Sequence, residues 1–215
     1  KYIAFVDSDD WVEETFLSVL VETIEKNRAD IVITGIWRNI NGQDTKMFNN
    51  IEAGVYEGDC RIPFYEKMLH YEGFRELGII PYLWNKIFKR DMLANYFCVD
   101  LDSDIVEAED QLIVYPYMLH ADKIVVTKDC LYHYEWRESS VTNKRNFNYF
   151  ENISKVFLCL NRRFQETKYY DIMLPQLKAH MRMLAFFENP GAFAGAFPEA
   201  YVAAQREVFP FEKIP

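Results

Sequence analysis

The sequence predicts an α/β fold: a mixed, Rossmann-like sheet with flanking helices, followed by an α-helical C-terminal extension. Three observations predict it. Residues 2–37 read as strand, helix, strand. Half of the 215 residues are hydrophobic and 16% are aromatic, enough for a substantial core. Composition also shifts near residue 145, from mixed strand and helix signals to mostly helical ones, which divides the chain into a sheet-bearing region 1–145 and a helical extension 146–215.

Tyr2-Ile3-Ala4-Phe5-Val6 is a short run rich in β-branched and aromatic residues, the mark of a buried strand. Apolar residues at Val12, Phe16, Val19, Leu20 and Ile24 then predict a helix over 11–27, with Asp10-x-x-Glu13 as its capping pair. Ile31 to Trp37 reads as a second buried strand, and Asn41-Gly42 as a hairpin turn. Helical signals follow at 63–72 and from Arg90. Leu112 to Leu119 is a further helix, which Pro116 should kink unless it sits in the first turn. Lys123–Thr127 and Cys130–Trp136 read as two strands. Helices are expected over 147–167, 175–188 and 198–208. The phenylalanines of this tail (Phe147, Phe150, Phe157, Phe164, Phe186 and Phe187) suit ordinary core packing, with peripheral contact to a membrane as the alternative.

The formal charge is −9, from 33 acids against 24 bases, which argues against nucleic acid as the main partner. The cysteines at 60, 98, 130 and 159 form no C-x-x-C pair, so neither a zinc site nor a redox pair is signalled. Scattered single thiols fit the reducing cytoplasm. No apolar run reaches the about 18 residues of a membrane span, and no signal peptide is visible. The chain starts at Lys1, one residue before a core strand, so further sequence upstream is expected.

The chemistry concentrates behind the first strand, at Asp7, Ser8, Asp9 and Asp10. Carboxylates are hard oxygen ligands suited to Mg²⁺ or Mn²⁺. Asp7 and Asp9 are candidate metal ligands, and Asp10 is the candidate helix cap. The plain alternative is that all three are caps and surface groups. A metal held by one or two carboxylates keeps positions open for phosphate oxygens, the arrangement expected for a diphosphate-bearing substrate.

The segment "YIAFVDSDDWVEETFLSVLVETIEKNRADIVITG" resembles the D-x-D segment of family 2 glycosyltransferases, which are inverting sugar transferases of GT-A fold. "LWNKIFKRDML" (83–93), "AEDQLIVYPYMLHADKIVV" (108–126) and "LYHYEWRESSVT" (131–142) resemble three further blocks of that family, in the same order. The resemblance implies that Asp7 and Asp9 bind the metal and the diphosphate of a nucleotide-sugar donor. It also implies that Asp110, beside Glu109, is the general base acting on the acceptor hydroxyl. Glu109 would raise the pKa of that base and a helix N-terminus would lower it; the sequence leaves the winner open. Arg137, Ser139 and Ser140 are candidates for phosphate contact, with a solvated surface as the alternative. Trp84, Asn85, Lys86 and Glu109 are candidates for the acceptor side, with Trp84 equally suited to the core. His133 alternates with Tyr132 and Tyr134 and is more naturally structural than a third metal ligand.

The resemblance further implies a nucleotide-diphosphate sugar donor, a saccharide or lipid-linked acceptor, and a role in bacterial-type surface polysaccharide or glycolipid synthesis, in the cytoplasm or at the inner face of the membrane. Processive members carry Q-x-x-R-W, which Glu135-Trp136-Arg137 does not match, so a single-sugar transferase is expected. The family's opening half, which supplies the opening strands and the acid that recognises the nucleotide base, is not among these 215 residues, so these residues alone are expected to transfer little or nothing. Two other classes remain as alternatives. A haloacid-dehalogenase-type phosphohydrolase also places D-x-D after a first strand, but with Thr or Val where this chain has Trp11. A non-catalytic, partner-binding module is the other. An EF-hand is excluded by Trp11 at its third ligand position.

Overall fold

A computed structural model describes residues 1–72, 76–97, 105, 108–136 and 149–188. Its strands are β1 (Tyr2–Ala4), β2 (Trp11–Val12), β3 (Ile31–Ile40), β4 (Gln43–Met47), β5 (Gly54–Glu57), β6 (Lys86–Lys89) and β7 (Lys123–Glu135). Its helices are α1 (Phe16–Asn27), α2 (Arg61–Tyr65), α3 (Arg90–Phe97), α4 (Glu109–His120), α5 (Tyr149–Gln165) and α6 (Tyr170–Glu188). The strands form one mixed sheet in the order β1-β6-β3-β7-β2, with β4 on β3 and β5 on β7. Among the described strands only β3 and β7 pair in parallel; β6 runs antiparallel between β1 and β3.

The alternation of side chains along a strand divides the core into two layers. Ile31 and Ile33 of β3, with Ile124 and Val126 of β7, face α2, α4, α5 and α6. Val32, Ile36 and Val125 face the other way, against Phe16, Leu20 and Ile24 of α1. Both faces are covered, so the centre of the sheet reads as a continuous apolar run. The Asn41-Gly42 hairpin forms as expected, with φ of 52° and 79° at the two turn residues, the left-handed pair that a type I′ turn requires.

Three boundaries differ from the sequence reading. The first helix starts at Phe16, not at residue 11, and its N-cap is Thr15. Trp11 and Val12 instead pair with His133 and Tyr132 of β7: tertiary pairing overrides local helical spacing. The helix expected over 63–72 is the short α2. The two strands expected over 123–136 are one strand, because β7 absorbs its polar interruption as a bulge. Ile33 pairs with Val126 and Gly35 with Cys130, so β7 carries extra residues there. Gly35 permits this close approach; a Cβ at that position would lie 2.9 Å from both the Cys130 sulfur and the Met47 carbonyl oxygen.

Helix α4 has no polar face: every residue from Gln111 to Leu119 is buried. Pro116 sits inside it, beyond the first turn. A proline has no N–H, so the carbonyl four residues back, on Leu112, loses its helical donor. Arg163 of α5 supplies one, its Nη1 donating to the Leu112 oxygen. The tail is fastened elsewhere too. His180 Nε2 lies 2.7 Å from Gln111 Oε1, and Gln176 of α6 accepts from the Leu69 amide at 3.1 Å. Val156, Leu160, Phe164, Met173 and Leu177 complete the same apolar layer as α4. Replacing Arg163 with Met should therefore lower stability by about 1–3 kcal/mol in a urea titration, because it leaves a buried carbonyl unpaired; an unchanged midpoint would show that Arg163 is not needed there. The helix expected over 198–208 lies outside the described residues. So do Phe147 and the side chains of Phe150, Phe186 and Phe187.

Candidate active site

The acidic turn follows β1, and it is held by the far end of the sheet. The Asp10 amide donates to the Asp7 carbonyl at 3.2 Å, closing the turn. The Tyr132 hydroxyl then ties it down: it accepts from the Asp7 amide at 3.0 Å and donates to Asp10 Oδ2 at 2.7 Å. Asp10 Oδ1 accepts from the Glu135 amide at 3.0 Å. Asp10 is thus not a helix cap, as its spacing suggested, but an anchor to β7. Glu13, its expected capping partner, meets His133 Nε2 at 2.8 Å. That histidine also stacks on the Trp11 ring at 3.5 Å and on the Trp37 ring at 5.9 Å. Its place is structural, within an aromatic ladder.

Asp7 and Asp9 remain on the exposed crest of the turn. The Asp7 carboxyl is raised above the usual range, first by partial burial, then by the negative charges of Asp10, Asp9 and Glu109. Glu109 opens α4, far along the chain, so the fold brings α4 to the acidic turn. Asp110 lies beside Glu109. Burial pushes its carboxyl up to about 6, aided by Glu109 and Asp7 and opposed by the Leu83 amide and by Lys86. The sequence reading weighed the Glu109 charge against a helix N-terminus; the largest effect is neither, but burial, with Glu109 adding to it. The Leu83 amide donates to Asp110 Oδ2 at 3.1 Å and fixes the carboxylate in place.

The two acidic segments are joined through aromatic rings. Tyr132, which holds the turn, stacks on Trp84 with centroids 4.3 Å apart. Trp84 also stacks on Tyr82 at 4.7 Å, and Leu83, between them, holds Asp110. Asn85 and Lys86 are wholly enclosed, their polar atoms bonded to the protein itself. Although expected on the acceptor side, they sit behind the site and support it; Trp84 is likewise buried. Arg137, Ser139 and Ser140 lie outside the described residues. Sequence reasoning missed Tyr132 as the fastening of the acidic turn; its only signal was the alternation Tyr132, His133, Tyr134.

The donor chemistry at this turn fits a hard divalent cation. Carboxylates crowd Asp7, and none of the charges that shift it is positive. Among the described residues, no three His, Cys, Asp or Glu side chains converge into a closed metal cage. An ion here would rest on Asp7 and Asp9 and take its other ligands from phosphate oxygens or water.

Residues 1–97 match the family model described as "Glycosyl transferase family 2". That segment is similar to family 2 glycosyltransferases. Curated relatives agree: the chain is 27% identical over 173 residues to "Putative glycosyltransferase EpsH" of Bacillus subtilis, covering 77% of this chain and 48% of that protein. It is 24% identical over 144 residues to "Glycosyltransferase GlyA" of Streptococcus pneumoniae, covering 66% of this chain and 20% of that one. The crystal structure of S. aureus TarS 1–349 in complex with UDP-GlcNAc superposes with a TM-score of 0.60 at 20% identity, over 95% of this chain and 60% of that one. That likeness confirms the GT-A-like fold expected for the family 2 segment. The chain spans half or less of the length of these curated relatives. No helix among the described residues is long and apolar enough to cross a membrane.

Proposed function

We propose that this chain supplies the metal-binding and base-bearing part of an inverting, single-sugar glycosyltransferase. The observation that carries the reading is the meeting of two distant acidic segments: Asp7 feels the charge of Glu109 at the start of α4, and Asp110 beside Glu109 feels the charge of Asp7 and, largely through burial, is raised to about 6. Asp110 takes the proton of an acceptor hydroxyl; the oxygen attacks the anomeric carbon as its bond to the diphosphate breaks, inverting the configuration. Asp7 and Asp9 would hold Mn²⁺ or Mg²⁺, and the chemistry such an ion would supply is neutralisation of the charge on a departing diphosphate. Arg137, Ser139 and Ser140 are assigned to the phosphates on resemblance alone.

A nucleotide-diphosphate sugar as donor is supported by the fold shared with TarS, which was crystallised with UDP and with UDP-GlcNAc. A saccharide or lipid-linked acceptor, and a product in surface polysaccharide or glycolipid synthesis at the cytoplasmic face of a membrane, follow from the family resemblance.

The test is a transfer assay on the protein in its full natural length, with a panel of nucleotide sugars, with Mn²⁺ or with EDTA. Metal-dependent transfer is expected, with a rate that rises with pH through about 6 as Asp110 ionises and is level above it. Transfer that is indifferent to EDTA would remove Asp7 and Asp9 from the mechanism.

A further inference from the structure

The Lys86 side chain is fully enclosed, yet no carboxylate among the described residues touches it. Its Nζ donates to the Ile80 carbonyl at 2.6 Å, to the Tyr82 carbonyl at 2.5 Å and to Asn85 Oδ1 at 2.6 Å. An ammonium has three N–H bonds, and all three are used. Two of them grip the backbone of a single turn, residues 80–82, immediately before the Leu83 amide that holds Asp110. The third reaches Asn85, whose Nδ2 donates to the Thr34 carbonyl on β3 at 2.7 Å. The Ile80 amide donates to Asn49 Oδ1 at 2.9 Å, and Asn49 Nδ2 donates to the same Thr34 carbonyl at 3.1 Å. The turn is therefore suspended from β3 by two asparagines and closed from beneath by one lysine.

We infer that Lys86 is a positioning residue for Asp110, fixing the 80–83 turn so that its last amide and its own buried charge both act on that carboxylate. The inference rests on the reading of Asp110 as the base. An enclosed ammonium without a carboxylate in contact is costly to bury, and here burial pulls Lys86 down to about 7. Its compensating charge is Asp110, acting through space. The groups facing Asp110 are Glu109 on its own helix, Asp7 on the turn after β1, Tyr82 on the 80–83 turn and Lys86 on β6. Lys86 is the positive one of these. It offsets the two neighbouring acids and keeps the base ionisable near neutrality, without touching substrate.

A role confined to folding would change stability alone. A positioning role changes the titration of Asp110. Side-chain carboxyl and amine titrations followed by NMR on isotope-labelled protein separate the two. In Lys86→Met the Asp110 midpoint should rise by about one pH unit, since loss of an opposite charge disfavours the ionised acid. Exchange of the Leu83 amide should quicken several-fold. An unchanged midpoint in a folded variant overturns the inference. Should Lys86→Met fail to fold, Asp110→Asn serves, because an asparagine keeps the acceptor for Leu83. There the Lys86 midpoint should fall by about one unit, and an unmoved lysine overturns the inference. These readouts are independent of turnover. An Asp110→Asn enzyme that still transfers sugar defeats the base assignment, whereas unmoved titrations defeat only the role of Lys86.

Discussion

Asp110→Asn should lose about three orders of magnitude in transfer rate and at the same time unfold at a higher temperature. The first effect follows from removing the proton acceptor. The second follows from the environment that makes it a good one. Folding lifts the Asp110 carboxyl to about 6, against about 3.9 in an unfolded chain. The fold thus favours the protonated acid. That favourable contribution is complete below about pH 4 and is lost as pH rises through 6, above which the buried charge weighs against folding. Asparagine keeps the acceptor for the Leu83 amide and discards the charge. The gain should be about 1–3 kcal/mol at pH 7.5 and vanish near pH 4. Thermal unfolding of both proteins across that range measures it, and an equal loss of stability at every pH would show that the carboxylate is a structural bond and not a strained base.

Asp7→Asn should abolish the metal dependence of nucleotide binding. A ligand that binds only the folded state raises the unfolding temperature in proportion to its affinity. With a nucleoside diphosphate and Mn²⁺ together the unchanged protein should gain several degrees over either alone. The variant should gain no more than with the nucleotide alone, and its transfer rate should fall about 100-fold, as expected when charge on a leaving diphosphate goes unneutralised. Stability in the absence of ligand should hold, because the Asp7 side chain is exposed and the turn is fixed through its backbone amide and through Asp10. A variant that retains the joint gain would assign the metal elsewhere.

Much of the sheet was legible because its strands are either covered on both faces or closed by a turn with one solution. Ile31 to Trp37 could be little else, and Asn41-Gly42 specified its hairpin. Legibility failed where a distant segment outbid a local signal. Nothing near Asp10 announces Tyr132 or the Glu135 amide, so its carboxylate reads as a cap, and the first helix appears five residues too long. The interruption at Lys128-Asp129 reads as a break between strands, since a bulge depends on what Gly35 opposite will allow. The acids themselves could be picked out by type and spacing. Their mutual approach could not, because it is made by α4 lying against the turn after β1. Burial was equally invisible: Lys86 reads from its block as an acceptor-side candidate, and only the packed segment around it makes it an interior residue.

The dependence of α4 on Arg163, His180 and the apolar faces of α5 and α6 also bears on how the protein is made. Synthesis proceeds from the N-terminus, so Asp110 and its helix leave the ribosome well before the residues that cover them. Until α6 has emerged, Ile113, Val114, Tyr117 and Met118 lack part of their packing, and the Leu112 carbonyl lacks its donor. The nascent chain passes through an interval with a largely apolar helix uncovered, the kind of surface that chaperones hold and that otherwise aggregates. A ribosome stalled between α4 and α5 should therefore carry a protease-sensitive chain, and one stalled after α6 a resistant one.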